Sequence, residues 1–133
     1  MSASINLVLY IALGSAAGGV SRFLLASAIQ ERANSAFPMG TLVVNITGSL
    51  LLGFIFSYAL QTTSVSAEMR AFLTTGFCGG YTTFSAFSYE TARLMQQGLF
   101  AQAAAYVGTS VSLSVAGVFV GFALARRMLG AGG

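Results

Sequence analysis

The sequence predicts an all-α membrane protein of four transmembrane helices, the third broken near its middle, and three observations lead there. Charged residues make up only 7% of the 133, against 56% hydrophobic ones; a soluble domain carries roughly a quarter of its residues charged to cover a water-facing surface. Mean hydropathy is +0.80. The apolar residues also gather into four runs, each near the roughly 20 residues that a spanning helix needs. A single integral membrane domain, residues 1–133, accounts for the chain, so its function is expected to lie within the bilayer.

The first helix is expected over about residues 5–29, INLVLYIALGSAAGGVSRFLLASAI. Its apolar run is too long for a signal peptide and lacks a positive leading region, so it is expected to stay in the mature protein. The second, about 41–60, follows a polar gap with the only proline, where Pro38 and Gly40 mark a turn. Before the third, about 69–95, Ser66 suits an N-cap and Glu68 the first turn, where the helix dipole favours an acid. The fourth, about 99–125, follows a tight hairpin at Gln96-Gln97-Gly98. Gly14-x-x-x-Gly18 and Gly117-x-x-x-Gly121 give small-residue faces where helix backbones approach closely.

Charge and composition exclude several functions. The net charge of +3 comes wholly from arginine, and no basic stripe points to nucleic acid. With no histidine and one cysteine, Cys78, neither an internal disulfide nor a zinc site of the usual ligands is expected. No nucleophile–base pair or phosphate loop is present, so no enzyme is expected. Four spans put both termini and the second loop on one side with Arg70, Arg126 and Arg127; Arg22, Arg32 and Arg93 fall on the other. That even split gives no positive-inside bias. Insertion both ways is expected, and two opposed copies then pair about an axis in the membrane plane as an antiparallel dual-topology homodimer. Partial embedding of Arg22 is the competing reading, since it restores a bias.

The third segment holds the chemistry, in GFCGGYTTFSAFSYE, residues 76–90. Helix propensity is lowest at Gly76, Gly79 and Gly80. A break there frees carbonyls, hard oxygen ligands suited to a small cation such as sodium; the same glycines equally suit a packing seam. Phe84 and Phe87 share a face at i and i+3, with Ser85 and Ser88 beside them. A phenyl ring is positive at its edge, so two rings edge-on can meet a small anion without a full charge that traps it. Asn45 supplies amide donors, and Tyr106, Ser110 and Ser114 form a stripe of hydroxyls at i, i+4, i+8. Thr109 and Ser112 lie off that stripe. Arg22 is read as a snorkelling residue that sets orientation, and Glu90 with Arg93 as a local ion pair at i and i+3.

Three stretches carry a family resemblance: GGVSRFLL (18–25), GTLVVNITGSLLLG (40–53) and GFCGGYTTFSAFSYE (76–90). In motif order and spacing, over essentially the whole chain, the sequence resembles the CrcB/Fluc family of fluoride channels. The resemblance implies a bacterial inner-membrane, multi-pass protein forming an antiparallel homodimer with two fluoride pores. It implies a central structural sodium ion on the carbonyls of Gly79 and Thr82 from both subunits. It assigns Phe84 and Phe87 as the pore rings, Asn45 as the pore asparagine, and Tyr106, Ser110 and Ser114 as the polar track. Thr83, Ser85 and Ser88 follow as secondary pore contacts, and Arg22 matches the family's first-helix arginine. Ala86 stands where the family often has threonine, which removes one hydroxyl from the ion path. The rival from another class is a small proton-coupled multidrug-type exporter, for which Glu90 is the only intramembrane carboxylate.

Overall fold

The computed structural model describes residues 4–131, the last by its backbone alone. Helices run Ile5–Ala33 (α1), Met39–Gln61 (α2), Ala67–Ala71 (α3), Gly79–Tyr81 (α4), Phe84–Gln96 (α5) and Phe100–Ala131 (α6); a π-helical stretch, Phe72–Cys78, joins α3 to α4. Three of them, α1, α2 and α6, are long and apolar enough to cross a membrane. The pieces from α3 to α5 together form the third segment. The chain is thus an all-helical, multi-pass membrane protein.

Local chemistry sets the ends. Ser4 Oγ accepts from Leu7 N at 3.2 Å and starts α1. Asn34 ends it in the left-handed region, φ 45°, a conformation asparagine tolerates. The turn into α2 is tied by Gln30, whose Nε2 donates to the carbonyls of Ser35 and Phe37 while its Oε1 accepts from Gly40 N. Ser66 caps α3 through Met69 N at 3.1 Å, with Glu68 in the first turn. Gly98, at φ 77°, makes the hairpin between α5 and α6. Helices α1 and α6 run to residues 33 and 131, past the expected 29 and 125, because a spanning helix need not end where the hydrocarbon does.

Two glycine seams hold the helices together, both within one chain. On α1, Gly14 and Gly18 are buried against the third segment; a Cβ on either would run into the carbonyl oxygens of Phe72 or Phe77. On α6, a Cβ at Gly121 would stand 2.5 Å from Phe54 N, and one at Gly117 would stand 3.2 Å from Ile46 O. The buried residues of α6, Ala103, Tyr106, Ser110, Gly117, Gly121 and Ala125, recur at helical spacing and form one stripe against α2. The hydroxyls of Tyr106 and Ser110 therefore lie on the packed seam and not on the lipid face.

The break lies elsewhere than at the glycines. Gly79 and Gly80 are helical in α4, and the chain leaves the helix at Thr82 and Thr83, whose ψ values of 158° and 119° are extended. Gly76 and Gly80 serve the packing seam: a Cβ at Gly80 would sit 2.6 Å from Ser15 O, and one at Gly76 would sit 3.0 Å from Gly14 Cα. Low propensity allowed the break, but it was placed where α2 offers partners for the freed main chain.

Candidate functional site

Main-chain groups at mid-membrane must be satisfied, since each orphan in hydrocarbon costs several kcal/mol. Asn45 on α2 answers for Thr83 on both sides: Thr83 N donates to Asn45 Oδ1 at 2.8 Å, and Asn45 Nδ2 donates to Thr83 O at 3.1 Å. Thr83 then caps α5, its Oγ1 accepting from Ala86 N at 3.1 Å. From α1, Arg22 Nε donates to Gly80 O at 3.1 Å. Arg22 thus reaches into the break and does more than snorkel. Thr47 Oγ1 and Tyr81 Oη meet at 2.9 Å and pin the other side of Thr82 to α2. As an expected result, Arg22→Met lowers stability by about 1–3 kcal/mol, the cost of leaving the part-buried Gly80 carbonyl unsatisfied; thermal unfolding in detergent measures it, and an unchanged midpoint would contradict the contact.

The break leaves several carbonyls without helical donors, those of Gly79 and Thr82 among them. Gly79 O loses Thr83 N to Asn45, and Thr82 O loses Ala86 N to the Thr83 hydroxyl. Gly79 and Thr82 line a cavity of about 280 Å³ with Ser49, Thr74, Thr75 and Cys78. Among the described residues no cluster of His, Cys, Asp or Glu is placed to hold a metal. A cation at this place would have to be bound by carbonyl and hydroxyl oxygens, and these two carbonyls suit a hard ion.

On the other side of Thr82 lies a second cavity, of about 340 Å³, lined by Asn45, Thr83, Phe84, Phe87, Ser110 and Ser114 among others. No charged residue lines it. The rings of Phe84 and Phe87 stand 5.5 Å apart at 44°, and Phe87 meets Tyr106 at 5.2 Å and 48°. Tyr106 is fully buried between Phe87 and Phe37, whose ring meets it edge-on at 5.5 Å. The hydroxyls of Tyr106 and Ser110 are both buried with no hydrogen-bond partner. Buried orphans of this kind call for an explanation such as an unseen water or ion. Phe84 is 79% exposed although it lines the cavity, so one chain leaves this wall unclosed.

Not every expected residue faces the cavity. Ser88 Oγ donates to Phe84 O at 2.9 Å on its own helix, and Ser85 lies exposed with its Oγ 3.4 Å from Thr83 Oγ1. Glu90 does not pair with Arg93; its Oε1 accepts from Thr41 Oγ1 at 2.7 Å. Thr41, Glu90 and Arg93 line a third cavity, about 360 Å³, at the α1–α2 turn. Sequence reasoning missed Thr41 and Ser49. Ser49 lines both cavities beside the break, and its place at i+4 from Asn45 was a readable signal. Nothing local pointed to Thr41.

Fold and site together define a polytopic helical membrane protein whose interrupted segment borders uncharged polar cavities in the bilayer. The family model described as CrcB-like protein, Camphor Resistance (CrcB), matches residues 9–122. A protein of Rhizobium meliloti, named fluoride-specific ion channel FluC, is 46% identical over 124 residues, 93% of this chain and 99% of its own. Those of the same name from Geobacter sulfurreducens and Coxiella burnetii are 47% and 44% identical, over 91% of this chain and 98% of theirs. The chain belongs to the CrcB family.

Proposed function

We propose that this protein is a fluoride channel, not an enzyme, that passively exports fluoride through the cavity of Asn45, Phe84, Phe87, Ser110 and Ser114. The observation that carries this reading is the buried, partnerless hydroxyl of Ser110 in an uncharged cavity edged by two phenyl rings, with Tyr106 one turn away on the same seam. Fluoride holds water strongly, so a selective path must offer donors in series while staying too narrow for a hydrated larger halide. Hydroxyls and ring edges do this without a fixed charge to trap the ion. Hydrogen fluoride that enters a cell dissociates in the more alkaline cytoplasm, and the anion leaves down its electrochemical gradient. The setting is a bacterial cytoplasmic membrane. The hydroxyls of Ser85 and Ser88 contribute less, being turned from the cavity.

The working unit is an antiparallel dual-topology homodimer with two pores. The even arginine split and the unclosed wall at Phe84 support it. A sodium ion between the copies, on the carbonyls of Gly79 and Thr82 from each, would offset repulsion among those oxygens. Two carbonyls fall short of a cation's usual shell, so the second copy would complete it.

Purified protein in liposomes is expected to release fluoride electrogenically, without a proton gradient, and Phe84→Ile is expected to slow release severely because an aliphatic side chain has no positive edge. Efflux that required a proton gradient and vanished in Glu90→Gln would favour a proton-coupled exporter. For topology, Ser64→Cys, in the α2–α3 loop, is expected to label from both faces of intact membranes; labelling from one face alone would refute dual insertion.

A further inference from the structure

We infer that the main-chain N–H groups of Phe84 and Ser85, at the start of α5, are anion donors in the cavity of Asn45 and Ser110; the inference rests on the channel reading above. The first N–H groups of a helix have no intrahelical acceptor. In α5 the third of them, Ala86 N, is taken by Thr83 Oγ1. Among the described residues neither of the other two, Phe84 N and Ser85 N, donates to a main-chain carbonyl across Thr82 and Thr83 or to a side chain. Both sit near the middle of the third segment, and in hydrocarbon such groups need a partner.

Three further facts aim these groups at an anion. Thr83 and Phe84 line the cavity, so the start of α5 forms part of its wall. Ser110, which is 6% exposed, lines the same cavity with its hydroxyl unpartnered. Asn45, whose amide could otherwise donate twice to an anion, already gives Oδ1 and one N–H to Thr83. Its remaining N–H is a single donor, whereas the helix start offers two. The dipole of α5 adds the equivalent of roughly half a positive charge at that end, and its first turn contains no acid to cancel it. A partial charge attracts a halide while leaving it free to pass on. On this view Asn45 is chiefly a positioning residue that turns the start of α5 toward the cavity.

The test replaces the amide at position 84 by an ester, with phenyllactic acid in place of phenylalanine. This removes the N–H and keeps the ring. Because that N–H makes no bond within the helix, folding should tolerate the change. Fluoride efflux from liposomes is expected to fall about tenfold or more, as for loss of a hydrogen bond to a charged group. Lactic acid in place of Ala67, at the equivalent place in α3, should leave efflux unchanged. In unmodified protein, fluoride but not chloride should move the Phe84 and Ser85 amide proton resonances downfield, with a through-bond coupling to fluorine. That measurement decides the matter even if the ester protein fails to fold. Wild-type efflux from the position-84 ester, or amide resonances blind to fluoride in a protein that conducts it, would overturn the inference alone. No efflux from the unmodified protein would overturn the channel reading beneath it.

Discussion

Asn45→Ala is expected to cut fluoride efflux by about two orders of magnitude or more and to lower the thermal midpoint. The substitution orphans Thr83 N, which is bound through Asn45 Oδ1, and takes the Asn45 amide donor from Thr83 O. An unsatisfied polar group costs about 1–3 kcal/mol, and the lost bond to Thr83 O adds about 0.5–1.5 kcal/mol. The chain's available relief is to rewind: Thr83 N can return to Gly79 O once Asn45 no longer claims it. Rewinding would close the carbonyls of the break and swing Phe84 and Phe87 off their bearing. The effect on transport should therefore exceed what one lost donor gives. Efflux in liposomes, set beside unfolding of the same preparation, checks both parts. A folded Asn45→Ala protein with wild-type efflux would show that the clamp does not govern the path.

The second large effect separates two adjacent glycines. Gly18→Ala is expected to destabilise the protein by about 1–3 kcal/mol or more, since overpacking at a site that cannot relax costs at least that. Its new methyl would meet the carbonyl of Phe77, and Tyr81 N at 3.0 Å, atoms fixed by the π stretch and by α4. Gly19→Ala should do the opposite and gain about 0.5–1 kcal/mol from helix propensity, because nothing lies within 4 Å of its Cβ position. Thermal unfolding of both variants in one detergent decides it. Equal midpoints would mean that α1 does not ride on the third segment through Gly18.

The seam also explains why the third segment was hard to read in detail. Glycines at 76, 79 and 80 mark a weak helix from sequence, yet weakness does not say where a helix parts. Gly76 and Gly80 are small because α1 lies on them, at Gly14 and Ser15, and the chain stays wound there, partly as a π stretch. The parting falls two residues later, where no glycine stands. There the competition between Gly79 O and Asn45 Oδ1 for Thr83 N is won by the side chain. Such a contest is between residues 38 apart in sequence, and local propensity has no access to it. The same holds for Arg22 on Gly80 O and for Thr41 on Glu90.

By itself the sequence determined that this chain lives in a bilayer and which residues share a helix face. Those properties follow from composition and from helical period, and both are carried by neighbours along the chain. Tertiary structure alone decided where the third segment opens, which carbonyls it frees, and that Asn45 grips the main chain. Hydrocarbon offers no water to a broken helix, so each freed group must find a partner on another element, and only the packed arrangement of α1 and α2 says which groups find one.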